Sequence, residues 1–391
     1  MEHETQSRPD SLSGTRNSTG AKQPPGNQTA TRGRLKQIVR ALILLVVIVG
    51  LALTGRDSYR KWNQQQQDLQ TQIDDLAQDI QTASNADEAQ PFIVRRQQLI
   101  ASKPSLEKIR WGWLLAASLL YGGSLIPGGL VLHEASRLMG YRLPLGPTMG
   151  AQVLGHLGKY VPGKAVVVVI RTGKLHDLGV PLLRGSVAVF LETIFMMAVG
   201  AALAGGLIFA LPVSRWIAWA ALLGGLSVTL PTIPRFLRLL VDRVVRKQRS
   251  KQTAGTENGK DSHLPPIEPS WRFFIAAWCW QLLAWLMIGA CFAMVVRSLP
   301  GWDLLGYSET TVLAASMAAI ALAMVVGFVS LLPGGAGIRE LVLAIILAPV
   351  VGQPVALVAA ISARVIFIVV EVLAAGLVWA VNRHSSPPKT A

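Results

Sequence analysis

Long apolar runs separated by short charged segments set the pattern of this chain. Uncharged or nearly uncharged stretches cover 41–55, 111–132, 185–214, 216–234, 273–296, 310–338, 341–363 and 365–382. A helix that crosses a bilayer needs about 20 mostly apolar residues. The pattern therefore predicts an all-α fold, a polytopic transmembrane helix bundle of seven or eight spans. The count turns on 341–351: if this stretch crosses, there are eight spans and Ala391 is cytoplasmic; if it dips and returns, there are seven and Ala391 is external. The run 165–170 is too short to cross.

Between the runs, the polar segments divide the chain. Residues 1–34, rich in Ser, Thr, Gly, Gln and Pro without apolar periodicity, read as a disordered tail. Residues 35–55 read as an uncleaved membrane anchor, since no small-residue cleavage pattern follows the apolar core. Segment 56–110 carries eight basic and eight acidic residues and is the one sizeable external segment expected. Within it Leu69, Ile73, Leu76 and Ile80 repeat at 4-3-4 spacing, the seam of a helix. Two heptads fall short of a coiled coil, so a polar helix leaning on the membrane domain is expected, the alternative being a homodimer zipper or a contact with an external partner. Segments 111–241 and 271–382 form the two halves of the membrane domain, joined by a charged linker over 242–270 and followed by a short tail over 383–391.

Composition agrees. Hydrophobic residues make up 51% of the chain and charged residues 15%, against about 25% charged in soluble domains. The mean hydropathy is +0.42. The net charge of +15 resembles that of a nucleic-acid binder, but its distribution argues for topology. Segments 133–184 and 235–272 hold seven and nine Lys or Arg, whereas 212–215 and 297–309 hold one each. Positive charge concentrates on the cytoplasmic side of inner-membrane proteins, which places those two segments, and the N-terminus with them, in the cytoplasm; no nucleic-acid partner is expected. Tryptophans at run edges, Trp111, Trp113, Trp216, Trp271 and Trp302, fit an interfacial belt. The two cysteines, Cys279 and Cys291, are twelve residues apart in one run, about 18 Å along a helix, too far to pair.

Chemistry is sparse and localised. Gly158-Lys159-Tyr160-Val161-Pro162-Gly163-Lys164 contains a G-x-x-x-x-G-K string, but Ala165 occupies the hydroxyl position that would hold magnesium, and no strand precedes it. Pro162 and Gly163 instead break a helix at membrane level. Pro333, Gly334, Gly335 and Gly337 do the same in the second half. Paired Pro-Gly-broken hydrophobic segments point to re-entrant elements around a transporter-type binding site; an ordinary loop with snorkelling cations is the plainer reading. Glu192, Arg364 and Glu371 lie within apolar spans, where each charge costs roughly 2.5–3.5 kcal/mol on insertion scales. Either they form structural ion pairs, with Glu192 or Glu340 partnering Arg364, or they line a cavity for an anionic headgroup, for which arginine's planar fork suits phosphate. The histidines and cysteines offer no metal-ligand spacing, and no nucleophile motif is present, so no catalytic residue, metal or cofactor is expected.

The stretch from Gly158 to Lys164 with Arg171 and Glu192, and Pro333-Gly334-Gly335-Ala336-Gly337-Ile338-Arg339-Glu340 with Arg364, resemble the two signatures of the lysylphosphatidylglycerol synthase transmembrane region, or flippase-like domain. The resemblance covers roughly 105–381. It implies a bacterial multi-pass membrane protein handling anionic phospholipid or polyprenyl-linked lipid between leaflets. Lys164, Arg171, Arg339 and Arg364 would then bind the headgroup, with Glu192, Glu340 and Glu371 balancing charge or coupling protons. The chain ends at Ala391 soon after its last span, so the aminoacyl-transfer activity of the full-length synthases is expected to be missing. The competing expectations are a membrane enzyme or accessory subunit acting on a lipid-linked carrier, with Glu192 or Glu340 as base, and a non-catalytic scaffold built on 56–110.

Overall fold

The computed structural model describes residues 66–102, 106–160, 165–209, 214–252, 267–330 and 337–384, together with Leu211 and isolated positions between 49 and 64. The expected tail over 1–34, nearly all of the anchor over 35–55, and Pro162, Gly163, Lys164, Pro333, Gly334 and Gly335 lie outside the described residues, as do 253–266 and 385–391. Among the described residues all regular structure is helical. Five helices are long and apolar enough to cross a membrane: α3 (Trp111–Leu138), α6 (Leu182–Phe209), α9 (Trp271–Ser298), α10 (Glu309–Val329) and α12 (Gln353–His384). A sixth crossing is available through α7 (Arg215–Thr229), which continues by a short 3-10 turn into α8 (Pro234–Gln252) with a bend of 63°.

Packing follows from small residues as much as from large ones. Where α6 meets α7, a Cβ on Gly205 would stand 2.5 Å from the Ala221 carbonyl oxygen, and one on Gly225 would stand 2.4 Å from that of Ala201. The two backbones touch because both positions lack side chains, the usual device for association where lipid supplies no hydrophobic drive. On the other side of α6, Trp285 of α9 fills the space over Gly200 and donates its indole N–H to the Met196 carbonyl at 3.0 Å. Ser270 and Ser308 cap α9 and α10, accepting from the Phe273 and Thr311 amides.

The two ends of the bundle differ in composition. At one end Met139, Leu143, Leu175, Val180, Leu237, Val241, Ile267 and Phe273 join a single apolar cluster, so the two basic segments 133–184 and 235–272 meet at the same end. At the other end the Arg110 amide donates to the Ser298 carbonyl at 2.9 Å, and Arg297 lies 5.6 Å from the ring centres of both Trp113 and Trp302 while pairing with Glu309 at 2.5 Å. An external-type hairpin sits here: a helix described over 66–82 (α1) and α2 (Ala86–Ser102) close on each other through Leu69, Ile73 and Leu99, with Leu76 alongside. The seam expected from the 4-3-4 spacing is thus filled within the chain itself.

The second half divides differently from its apolar runs. The run 310–338 breaks after Val329, and α11 (Ile338–Val351) begins the next element. The division expected at Arg364 is absent; Gly352, with φ +87°, and Pro354 make the break instead, and α12 carries Arg364 in its interior. A lone arginine can be absorbed by pairing, whereas a proline and a left-handed glycine cannot continue a helix. α11 is about 21 Å long. Its last residue, Val351, shares a cleft with Gly301 and Leu304 of the α9–α10 loop and with Asp68 and Arg95 of the hairpin. α11 therefore reaches the far end of the bundle, and α12 returns from it.

Candidate functional site

α4 (Leu145–Leu157) and α5 (Ala165–Asp177) enter the bundle from the end where the basic segments meet and are too short to cross it. α4 closes with a 3-10 turn over Gly158–Tyr160, which places Lys159 and Tyr160 among the long helices. Here they meet Glu371, completely buried in α12. The Tyr160 hydroxyl donates to Glu371 Oε2 at 2.9 Å; the Lys159 ammonium and the Tyr121 hydroxyl of α3 both donate to Oε1. His156 Nδ1 lies 3.8 Å from the same oxygen. Tyr121 and Glu371 each sit near the middle of their 28- and 32-residue helices, so this hub lies at mid-depth, where transporter sites are built.

Two further carboxylates are engaged nearby. Arg171 of α5 is buried and donates to Glu192 Oε2 at 2.5 Å, while Gln152 donates to Oε1 at 3.1 Å. Arg364 donates to Glu340 Oε1 at 2.7 Å, and the other oxygen of Glu340 accepts from the Gly337 amide at 2.7 Å, closing the first turn of α11. The ion-pair reading of Arg364 with Glu340 is the observed geometry. Arg364 and Glu371, seven residues apart, are held by different groups: Arg364 by Glu340 of α11, Glu371 by Lys159, Tyr160 and Tyr121.

Arg339 stands apart. Among the described residues it has no ion pair within 4 Å and donates no hydrogen bond, and its buried Nε is unsatisfied. Its stem runs over Gly327 of α10, where a Cβ would come within 2.7 Å of it. The first half repeats the device, with Arg171 lying over Gly155 at 2.4 Å from a hypothetical Cβ. One arginine in each half is thus admitted by a glycine; among the described residues the first is neutralised by a carboxylate and the second is not.

A cavity of about 40 Å³ opens beside Arg339, lined also by Lys159, Tyr160, Glu340, Arg364 and Phe367. It joins the first broken segment to the second. Its charged lining residues are three cations, Lys159, Arg339 and Arg364, and one carboxylate, Glu340; counting Glu371, which pairs with Lys159 from outside the lining, one positive charge remains in excess among the described residues. Arg171 and Glu192 do not line it.

Sequence reading singled out Arg339, Arg364, Glu340, Glu371, Arg171 and Glu192; the structure gathers the first three around one cavity, holds Glu371 behind its Lys159 and Tyr160 lining, and joins the last two in a separate pair. It missed Tyr121, His156, Lys159 and Tyr160 as partners of Glu371. Tyr121 could have been noticed as the one tyrosine of its apolar span, and Lys159-Tyr160 by their place just before the Pro162-Gly163 break.

Residues 92–375 match the family described as lysylphosphatidylglycerol synthase TM region. The chain belongs to that family. The match contains both broken segments, α3 to α11, and α12 through Ala375. It begins within α2, so α1 of the hairpin precedes the family's shared region. A comparison with curated proteins gives no match. This member is a multi-pass helical membrane protein of a family linked to lipid handling.

Proposed function

We propose that this protein binds the phosphate-bearing headgroup of an anionic phospholipid or polyprenyl-linked lipid at mid-bilayer and passes it between leaflets, acyl chains remaining in the membrane. The observation that carries the reading is Arg339, an arginine without a carboxylate partner within 4 Å among the described residues, beside a cavity whose described charges leave one positive charge in excess. A cation kept uncompensated at this depth is costly unless something anionic joins it, and the guanidinium fork matches phosphate oxygens. Arg364 and Lys159 flank it, each already held in place by a carboxylate.

The cavity between the described residues is about 40 Å³, room for a few waters but not for a phosphate ester, so binding in this reading widens it as the 158–160 turn draws away from α11 and α12. The Glu371 hub is the contact that such opening must break, since it ties that turn to α12 and α3. The basic segments face the cytoplasm in this reading. The enzymatic alternative finds little support: Glu192 and Glu340, its candidate bases, are each held by an arginine and a second donor.

Reconstitution into liposomes with a fluorescent phosphatidylglycerol analogue and an impermeant quencher tests the reading. A charged hydrogen bond contributes about 1.5–3 kcal/mol, so Arg339→Gln should slow translocation about 10- to 100-fold, and Arg339→Lys less. Translocation by Arg339→Gln at the wild-type rate would refute the assignment.

A further inference from the structure

The 19 residues of α8 contain seven Arg or Lys and one acidic residue, Asp242. Eight charges on one helix make it unsuited to crossing a bilayer as a whole. Its geometry agrees: the chain turns by 63° on leaving the α7 segment. Leu237 and Val241, each 1% exposed, fix α8 to the cluster formed by Leu175, Val187 and Phe273. On the remaining surface Arg235, Arg238 and Arg243 are exposed together with Phe236 and Leu239, which are 47% and 62% exposed. Two large apolar side chains outside the bundle, interleaved with arginines and directly following a membrane-crossing segment, fit one environment: the boundary between acyl chains and headgroups.

We infer that α8 is an interfacial helix that binds the anionic lipid surface of the leaflet at the basic end of the bundle, Phe236 and Leu239 entering the acyl boundary and the arginines engaging headgroup phosphates. Charge complementarity selects the partner, because a net charge of six on one short helix gains little from zwitterionic lipid and much from anionic lipid. A soluble acidic partner would satisfy the arginines but leave Phe236 and Leu239 unexplained. The inference is independent of headgroup binding at Arg339: α8 would dock in this way whether or not lipid is translocated. It gives the protein a means of holding anionic lipid beside the bundle at the end from which α4 and α5 enter.

Hydrogen–deuterium exchange of the full-length protein in nanodiscs tests it. Exchange over 234–252 should slow as phosphatidylglycerol replaces phosphatidylcholine, and high salt should reverse the effect. Each arginine near an anionic surface shifts docking about fivefold. The triple variant Arg235→Gln/Arg238→Gln/Arg243→Gln should therefore lower the docked-to-undocked ratio about 100-fold, with exchange in α9 unchanged as the control for folding. Exchange that ignores phosphatidylglycerol in the wild type, or a triple variant that keeps the full phosphatidylglycerol response, would overturn the inference.

Discussion

Arg171 and Glu192 illustrate how a buried charge changes its meaning once its partner is known. Their side chains are 6% and 3% exposed and lie 2.5 Å apart, so removing one leaves the other uncompensated. Such a loss costs about 3–5 kcal/mol, whereas replacing both with apolar residues of similar volume is often neutral. Arg171→Ala should therefore lower the melting temperature in detergent strongly, and Arg171→Met/Glu192→Leu should recover most of the loss. Equal destabilisation by the single and the double variant would show that the pair is not coupled. Sequence alone marked most of these charges, because ionisable residues are conspicuous in apolar runs. It could not pair them: Arg171 and Glu192 are 21 positions apart, and Lys159 and Glu371 are 212 apart, separations that only the packing of the helices closes.

Elements were legible to different degrees. α3, α6, α9 and α10 follow their apolar runs, since a bilayer-length stretch without charge has few alternatives to a spanning helix. α4 and α5 follow from the Pro-Gly break between them, although that break itself lies outside the described residues. α12 was less legible: its interior arginine looked like a boundary, and its true start at Gly352 and Pro354 looked like a mere interruption. α8 was hidden in the basic segment, because its amphipathic face spans the limit drawn at 241. Glycines at helix contacts carried information that hydrophobicity could not supply. A methyl on Gly155 or Gly327 would collide with an arginine stem, while one on Gly206 meets nothing within 4 Å. Gly155→Ala and Gly327→Ala should each cost about 1–3 kcal/mol through overpacking, and Gly206→Ala should be neutral or slightly stabilising, as read from melting temperatures. Stability of Gly327→Ala equal to that of Gly206→Ala would remove the close approach of Arg339 to α10.

Across the whole molecule, the apolar pattern and charge asymmetry anticipated a helical bundle with its basic segments gathered at one end, and the shared apolar cluster of Leu175, Leu237 and Phe273 brings them there. What the pattern could not anticipate is asymmetry between the halves. Both halves place an arginine over a glycine, yet one arginine is silenced by Glu192 and the other is left to the cavity. In the proposed function, that difference would make one anion site rather than two, and it is the centre of the functional account. Mass spectrometry of lipids co-purifying with the full-length wild type and with Arg339→Gln tests it most directly. The account predicts one phosphate-bearing anionic lipid class enriched over bulk membrane in the wild type, and lost in a variant that melts normally. The same lipid profile in both proteins would contradict it.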